Sequence, residues 1–134
     1  MTPFPYFVEA DDTIFEIERL MREHQIRHVP VQMNGQVAGV VSERDMRYFA
    51  NRSSSDAVKR QVRAREVMSE APYVVAFDAP LNEVTAEMAR RHIGSAIVVH
   101  HGKLAGILSS TDVCRILAEI LETEFSPTTD DDAA

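Results

Sequence analysis

One short residue pattern occurs twice in the chain and is the strongest candidate for chemistry. Its copies run from Gly39 to Asp45 and from Gly106 to Asp112, and each reads Gly, two apolar residues, Ser, two further residues and Asp. A serine followed three residues later by an acid is typical of a capping box, which satisfies backbone groups at a helix start. A helix start also offers free N–H groups to an anion, and a fixed carboxylate can accept hydrogen bonds from sugar hydroxyls. A structural role and a ligand-binding role are both open here.

The two copies belong to a longer internal repeat. An offset of 67 residues places residues 1–50 on residues 68–117 without a gap, and it pairs Tyr6 with Tyr73. Such self-similarity at a fixed period indicates duplicated structural units. The sequence therefore predicts an α+β fold of two β-α-β-β-α units. Their expected limits are 1–50 for the first unit, 51–63 for a linker, 64–122 for the second unit and 123–134 for a disordered acidic tail.

Hydrophobic patterning places the elements of each unit. A helix follows the first strand, and turns at Asn34-Gly35 and His101-Gly102 join the next two strands into a hairpin. The last helix of each unit begins near Glu43 or Ser110, and the second of these is expected to run to about Glu122. In the first unit the expected strands are 6–8, 28–31 and 37–41. In the second unit they are 73–76, 96–99 and 104–108, and a lead-in strand over 62–68 is expected ahead of them.

Composition excludes several classes of protein. The chain has 134 residues with 14 Lys and Arg against 21 Asp and Glu, so its formal net charge is −7, which disfavours non-specific binding to nucleic acid. No apolar run approaches the ~20 residues of a membrane span, and the first residues do not form a secretion signal. With one cysteine there is no intrachain disulfide to make, so we expect a cytoplasmic protein. The basic residues between 52 and 65 are either an arm for an anionic partner or a solvated linker face.

The sequence shows no convincing catalytic or metal centre. His24 and His28 are four residues apart, but the helix must end before His28 for the strand to begin, so they cannot share one helix face. Cys114 has no obvious base partner within its unit. No glycine-rich phosphate loop with a lysine is present. We therefore expect no metal, no catalytic cofactor and no enzymatic activity.

The duplicated arrangement resembles a known family, the tandem cystathionine-β-synthase (CBS) domain pair. The resemblance rests on the Gly-to-Asp pattern in both copies and on Met1-Thr2 and Met68-Ser69 ahead of the first strand of each copy. It implies that the two units pack through their strands about a pseudo-twofold axis and leave two clefts. Each cleft would take an adenosine ligand, with the final Asp of one unit on the ribose and strands of the other unit around the base.

The resemblance also implies which residues form each cleft. In one, Asp112 would hold the ribose, with phosphate, base and wall contacts from Ser109, Thr111, Arg27, His28, Tyr6, Val8 and Ile107. In the other, Asp45 would hold the ribose, with contacts from Ser42, Arg44, Ser95, Ala96, Tyr73, Val75 and Val40. Tyr6, Val8, Tyr73 and Val75 would contribute through their backbone, near the base. Arg44 stands where the other copy has the hydroxyl of Thr111.

Two functions follow from the resemblance. The first is a regulatory sensor that binds AMP, ADP, ATP or a related adenosyl ligand and passes its occupancy to a partner or attached domain. The alternative is a ligand-free scaffold that dimerises through its helices. A homodimer of CBS pairs is expected in either case, with apolar helix residues such as Met46, Phe49, Leu117 and Leu121 at the contact.

Overall fold

The chain folds into two units of the same architecture, as the repeat predicted. A computed structural model describes residues 2–3, 6–50 and 55–125. The strands are β1 (Thr2–Pro3), β2 (Val8–Glu9), β3 (His28–Met33), β4 (Gln36–Ser42), β5 (Val74–Ala76), β6 (Ser95–His100) and β7 (Lys103–Ser109). The helices are α1 (Ile14–His24), α2 (Glu43–Ala50), α3 (Asp56–Lys59), α4 (Ala64–Val67), α5 (Leu81–Arg91) and α6 (Ser110–Phe125). None of them has both the length and the apolar character needed to cross a membrane.

Each unit contributes one sheet, and the two sheets exchange a segment. In the first unit β2 is parallel to β3 and β3 is antiparallel to β4; β5, β6 and β7 repeat this arrangement in the second. The N-terminal β1 pairs with β7 of the second unit, where Thr2 faces Ile107. Ser69, 67 residues after Thr2, likewise bridges to Val40 on β4 of the first unit. This reciprocal pairing, together with packing of β4 against β7, gives the pair its pseudo-twofold relation and confirms the expected fold class.

The two hairpin turns are confirmed, and their geometry explains the residues found there. Asn34 and Gly35 have φ of 54° and 77°, and His101 and Gly102 have φ of 52° and 76°. Two consecutive residues with positive φ match the twist of a tight hairpin, and glycine adopts that conformation without steric cost. Each hairpin also has a β-bulge at the same place ahead of its turn, between Val31 and Gln32 and between Val98 and Val99.

The first unit has the larger core. Ile14 and Ile17 on α1 are fully buried against Val29, Val31 and Val41 of the sheet. The α1 helix begins at Thr13, whose hydroxyl accepts a hydrogen bond from the Glu16 N–H at 3.4 Å. The core of the second unit is made by fewer buried residues, namely Val84, Met88, Ala96 and Leu108. Burial of these apolar faces is the main stabilisation of each unit.

The segment between the units corrects one expectation. The lead-in strand expected over 62–68 is wrong, because residues 64–67 form the short helix α4. The Arg63 N–H donates to the Glu66 carboxylate at 2.6 Å, which starts a helical turn. Ala64 is fully buried in the core of the first unit, and the Val62 carbonyl accepts a hydrogen bond from the Ile14 N–H at 3.0 Å.

Several basic residues of this segment also bind the first unit. Lys59 lies 2.8 Å from the Glu18 carboxylate, Arg65 pairs with Asp11, and Arg60 lies over the ring of Phe15. We call residues 56–68 the strap, since they close over α1 of the first unit. Residues 51–54 of the expected linker lie outside the described residues.

Other boundaries shift by a few residues. Helix α6 continues to Phe125, so disorder from residue 123 onward is wrong for residues 123–125; residues 126–134 lie outside the described part. Tyr6, Phe7 and Tyr73 do not belong to the strands that were expected to contain them. Each hairpin strand is two residues longer than expected because the strands pair up to the turns. Strand ends depend on pairing partners, which the local sequence does not reveal.

Candidate functional site

The repeated Ser and Asp residues form a capping box at the start of α2 and of α6. The Ser42 N–H donates to Asp45 Oδ2 at 2.8 Å, and the Asp45 N–H donates to Ser42 Oγ at 3.1 Å. In the second unit the corresponding distances are 2.8 Å and 3.2 Å between Ser109 and Asp112. Each pair satisfies two backbone donors that would otherwise lack partners. The structural role of the repeated pattern is therefore present in both units.

The two aspartates differ in the hydrogen bonds of their second carboxylate oxygen, Oδ1. Asp112 is buried, with 7% of its surface exposed, and its Oδ1 accepts a hydrogen bond from Arg115 Nη1 at 3.1 Å. Burial opposes the ionisation of Asp112, but hydrogen bonds from the Ser109 backbone, the Ser109 hydroxyl and Arg115 act against it, and the net effect is a lowered pKa of the carboxyl. Asp45 is only half-buried, and its Oδ1 makes no hydrogen bond or ion pair within the described residues. Asp45 thus retains an acceptor for a ligand.

Asp45 lies on a cavity of about 610 Å³ between α2 and the strap. The Asp45 cavity has a polar edge made by Arg44 and Asp45 and apolar walls made by Phe49, Val62 and Val67. Tyr48 and Glu66 complete its lining. The expected partners of Asp45 in the second unit, Ser95 and Ala96, are not among the lining residues.

The strap residues of the Asp45 cavity were missed by sequence reasoning. Val62 and Glu66 are four residues apart, which is a helical rather than a strand spacing, and this was the available signal. It was overlooked because the region was assigned to a linker and a lead-in strand.

A close approach of backbones fixes the strap beside β4. A Cβ atom on Gly39 would lie 2.5 Å from the Ser69 carbonyl oxygen and 2.6 Å from Met68 Sδ. Only glycine allows this approach. Two hydrogen bonds between the backbones of Val40 and Ser69, at 3.2 Å and 2.9 Å, hold the chain in place. The glycine of the repeated pattern therefore positions the chain entering the second unit.

A strand residue of the first unit lies next to the start of α6 in the second unit, where the Asp112 cleft was expected. A Cβ on Gly94 would lie 3.1 Å from His28 Nε2 and 3.5 Å from Ser110 Oγ, so these groups are neighbours. Burial lowers the pKa of His28, and the charge of Arg27 adds to this, while Asp45 and Glu43 oppose it. Arg27 is exposed and lies 3.5 Å from the Glu43 carboxylate. Thr111 is exposed at the same helix start.

Other predicted ligand residues serve packing in this structure. The side chains of Val8 and Ala96 are buried in the two cores, and Val75 packs on the second core. The Tyr6 ring stacks on His24 at a centroid distance of 3.7 Å, and Arg91 lies over Tyr73 at 4.6 Å. The remaining predicted residues show a range of burial: Ser95 and Ile107 are buried, and Val40, Ser42 and Ser109 are half-buried.

The histidines and the cysteine do not form a metal cluster. Within residues 6–50 and 55–125, no group of three or more His, Cys, Asp or Glu side chains could hold a metal ion. His100 and His101 lie with ring centroids 4.0 Å apart beside Phe77, and Cys114 is exposed on α6.

Comparison with known proteins gives a consistent assignment. The sequence pattern of the CBS domain matches residues 1–51 and 64–119. A zinc metalloprotease of Methanocaldococcus jannaschii is 33% identical over 91% of this chain, which spans 32% of that protein. An inosine-5'-monophosphate dehydrogenase of Korarchaeum cryptofilum is 33% identical over 79% of the chain and 21% of its own length. The chain thus spans about a third or less of these curated relatives.

Solved structures share the whole fold. A Vibrio cholerae protein described as an acetoin utilization protein superposes with a TM-score of 0.80 at 32% identity, covering 96% of this chain and 93% of that one. Three structures at 21–24% identity, with TM-scores of 0.72–0.74, contain adenosyl ligands and cover 87–90% of this chain and 83–93% of their own chains. These are CBSX2 with AMP, a bacterial CNNM/CorC family Mg2+ transporter domain with ATP, and a domain pair with 5-methylthioadenosine and S-adenosyl-L-methionine. Together, the duplicated architecture, the paired capping boxes and these matches show that the chain belongs to the CBS domain family.

Proposed function

We propose that this chain is a regulatory module that binds an adenosyl ligand, such as AMP, ADP or ATP, in the Asp45 cavity. The observation that carries the proposal is that the two carboxylate oxygens of Asp45 differ in their contacts. One carboxylate oxygen holds the start of α2, and the other makes no hydrogen bond or ion pair within residues 6–50 and 55–125; Asp45 also borders a cavity of about 610 Å³. Cavities of roughly 300–1,000 Å³ are typical of small-molecule sites.

The chemistry of the Asp45 cavity fits the parts of a nucleotide. The Asp45 oxygen that lacks a partner among the described residues can accept hydrogen bonds from the ribose hydroxyls. Arg44 is exposed beside it and can bind phosphate through charge-assisted hydrogen bonds. Phe49, Val62 and Val67 supply apolar surface for the base. Relatives of the same fold that contain AMP, ATP or S-adenosyl-L-methionine support this class of ligand.

The Asp112 cleft is proposed as the weaker site. Both oxygens of Asp112 already accept hydrogen bonds, from Ser109 and from Arg115. Arg27, the expected phosphate contact, is paired with Glu43. A nucleotide bound there must first displace these contacts, and their loss offsets part of its binding free energy. His28, Ser109 and Thr111 are the groups that would receive it.

Occupancy would regulate by favouring one state of the protein over another. A ligand shifts such an equilibrium only by its differential affinity for the two states, typically about 1–3 kcal/mol. We place the module in the cytoplasm, in keeping with its single cysteine. We propose no catalytic step for the chain itself. Any activity of a longer protein would come from another domain.

The matched pair Asp45→Asn and Asp112→Asn tests the proposal. Binding of AMP, ADP, ATP and S-adenosylmethionine is measured by calorimetry on the wild type and on both variants. We expect Asp45→Asn to weaken binding about 10- to 100-fold, since a hydrogen bond to a charged group contributes about 1.5–3 kcal/mol. Asp112→Asn is the control and leaves the tighter site intact. If none of the four compounds binds the wild type at millimolar concentration, the proposal is wrong.

A second candidate function, self-association as a scaffold, is favoured by exposed apolar residues on α6. Leu117, Ile120 and Leu121 are 53%, 50% and 47% exposed. Apolar side chains clustered on one surface commonly mark an interaction site. We propose that the module is a homodimer whether or not its clefts are occupied. Light scattering with and without nucleotide tests this proposal: we expect the mass of a dimer in both conditions, and the mass of a monomer in either would contradict it.

A further inference from the structure

The strap binds the first unit through its backbone as well as through its side chains. Three backbone hydrogen bonds join it to the residues that lead into α1. Their donors are the N–H groups of Ile14, Ala64 and Arg65, and their acceptors are the carbonyls of Val62, Asp12 and Ala10, at 3.0, 2.7 and 3.1 Å respectively. Ala64 is fully buried, and the Arg65 guanidinium pairs with the Asp11 carboxylate. The first unit thus shows how a short basic segment binds a helix start of this fold.

The second unit has equivalent hydrogen-bonding groups at the start of α5. Three local backbone bonds of the first unit recur 67 residues later, each from the N–H of one residue to the carbonyl of another. They are Asp12 to Glu9, Ala10 to Gln32 and Ile17 to Thr13 in the first unit, and Ala79 to Ala76, Phe77 to Val99 and Val84 to Pro80 in the second. The groups that bind the strap therefore have counterparts in the Leu81 N–H and in the carbonyls of Ala79 and Phe77.

These counterparts are uncovered. Among the described residues, the Leu81 N–H and the carbonyls of Ala79 and Phe77 take part in no hydrogen bond. The residues Leu81 and Phe77 are 46% and 55% exposed, whereas their counterparts Ile14 and Ala10 are 0% and 3% exposed. A face that the strap buries in the first unit is therefore open in the second.

A proline in the second unit does not prevent the same contact. Pro80 stands where the first unit has Thr13, and proline has no backbone N–H. Thr13 forms a β-bridge with Arg63 of the strap, but both hydrogen bonds of that bridge are made by its neighbours, through the Ile14 N–H and the Asp12 carbonyl. The equivalent bridge at Pro80 therefore needs no N–H from the proline.

The uncovered face is acidic, as the matching face of the first unit is. Asp78 corresponds to Asp11, is exposed, and forms no hydrogen bond or ion pair among the described residues. Glu83, in the first turn of α5, is also exposed. A basic segment therefore matches this face in charge, and such complementarity favours the correct partner over others.

Only the middle of the strap has a full set of counterparts. The residues Glu18 and Phe15, which bind the N-terminal part of the strap, are replaced in the second unit by Thr85 and Asn82. The contacts that recur are those of residues 62–65, which read Val-Arg-Ala-Arg.

We propose that the start of α5 is a docking site for a basic segment of a partner protein with the chemistry of residues 62–65. The segment is extended, and in it a branched apolar residue precedes a small residue flanked by arginines. Its backbone bonds to the Leu81 N–H and to the carbonyls of Ala79 and Phe77. Its small residue packs on the side chains of Leu81 and Phe77, and one arginine pairs with Asp78.

Charge and position separate this docking site from other parts of the chain. Residues 126–134 carry three aspartates and no basic residue, so they do not match Asp78. The strap itself is already bound to the first unit. Leu81 and Phe77 do not line the Asp45 cavity, so the docking site and the nucleotide site can be tested separately.

A synthetic peptide of residues 56–68 tests the proposal on the full chain. Hydrogen exchange of single amides is measured by NMR with and without millimolar peptide. In the protein alone we expect the Leu81 N–H to exchange fast, because it has no acceptor among the described residues. Bound peptide should slow it roughly tenfold or more, since the amide then donates to a peptide carbonyl. The Ile14 N–H, which donates to Val62, is the internal control and should be protected in both samples.

A charge exchange tests the register of the bound peptide. Asp78→Arg should weaken peptide binding roughly 3- to 10-fold, because it replaces an exposed ion pair by two like charges. A peptide with Arg65→Asp should bind this variant better than it binds the wild type. Glu119→Arg, at an exposed position on α6, is the matched control and should leave binding of the unmodified peptide unchanged. Circular dichroism should show that both variants are folded.

Three results would overturn the inference. One is a Leu81 N–H already protected in the protein alone, since a second copy or another segment of the chain would then cover α5. Another is protection that is absent with the peptide or equal with a scrambled peptide of the same composition. The third is an exchanged pair of charges that fails to restore binding, because the arginine would then not lie at Asp78.

Discussion

The two units have the same elements but differ in how their cores are covered. At the first position of α1, Ile14 is fully buried, while at the equivalent first position of α5, Leu81 is 46% exposed. The strap explains the difference, since the Val62 carbonyl bonds to the Ile14 backbone and Ala64 enters the same core. No comparable segment covers α5 among residues 55–125. Duplication thus preserved the fold, and the strap makes the first unit the better packed half of the described residues.

The strap also explains why the two candidate ligand sites differ. It supplies three walls of the Asp45 cavity, Val62, Glu66 and Val67. At Asp112 the corresponding carboxylate oxygen is bound by Arg115 from its own helix. The residue equivalent to Arg115 in the first unit is Tyr48, which has no guanidinium to reach the acid. The residue at position 48 or 115 and the strap therefore distinguish the two sites of the repeat within the described residues.

The largest expected effect tests the covering of the cores. Ile14→Ala should lower the free energy of unfolding by about 2–5 kcal/mol, the range for truncating a fully buried residue. Leu81→Ala, at the equivalent position, should change it by about 0.5 kcal/mol or less, since surface substitutions have small effects. Chemical denaturation of both variants measures the difference. Equal losses would mean that the strap does not distinguish the two units.

The next effect tests how closely the units approach each other. Gly39→Ala should cost about 1–3 kcal/mol, because the new methyl group meets the backbone of Ser69 and the side chain of Met68. Gly94→Ala should cost about 1 kcal/mol or less, because its nearest neighbour is the His28 ring, which can rotate away. Thermal unfolding of both variants tests the order. A Gly94→Ala protein less stable than Gly39→Ala would contradict it.

The smallest effect concerns His28, where the second unit has Ser95. Burial lowers the pKa of His28 in the folded protein, so the unfolded chain takes up a proton at this residue more readily. The free energy of unfolding should therefore fall as the pH decreases through the ordinary histidine pKa near 6.5, and this loss should end below the lowered pKa. His28→Gln should reduce this slope in denaturation curves measured between pH 5 and 8. An unchanged slope would show that His28 does not contribute.

Much of the fold could be predicted from the sequence because the signals are local. The turn at Asn34-Gly35 requires positive φ, and the Ser42 and Asp45 side chains bond within one helical turn. The end of α6, expected near Glu122, and the ends of the hairpin strands differ from the predicted positions because they depend on packing partners. The candidate site was predicted only in part. Asp45 and Arg44 were identified, but the strap residues opposite them were not.

The sequence by itself determined the duplication, the α+β units and the chemistry available at each helix start, since these follow from repeat spacing and from bonds between residues three or four apart. Tertiary structure alone decided that Ala64 enters the first core and that Asp45 borders a cavity. Those outcomes depend on contacts between residues far apart in the chain. The local propensity of a short segment does not specify which distant surface the segment will pack against.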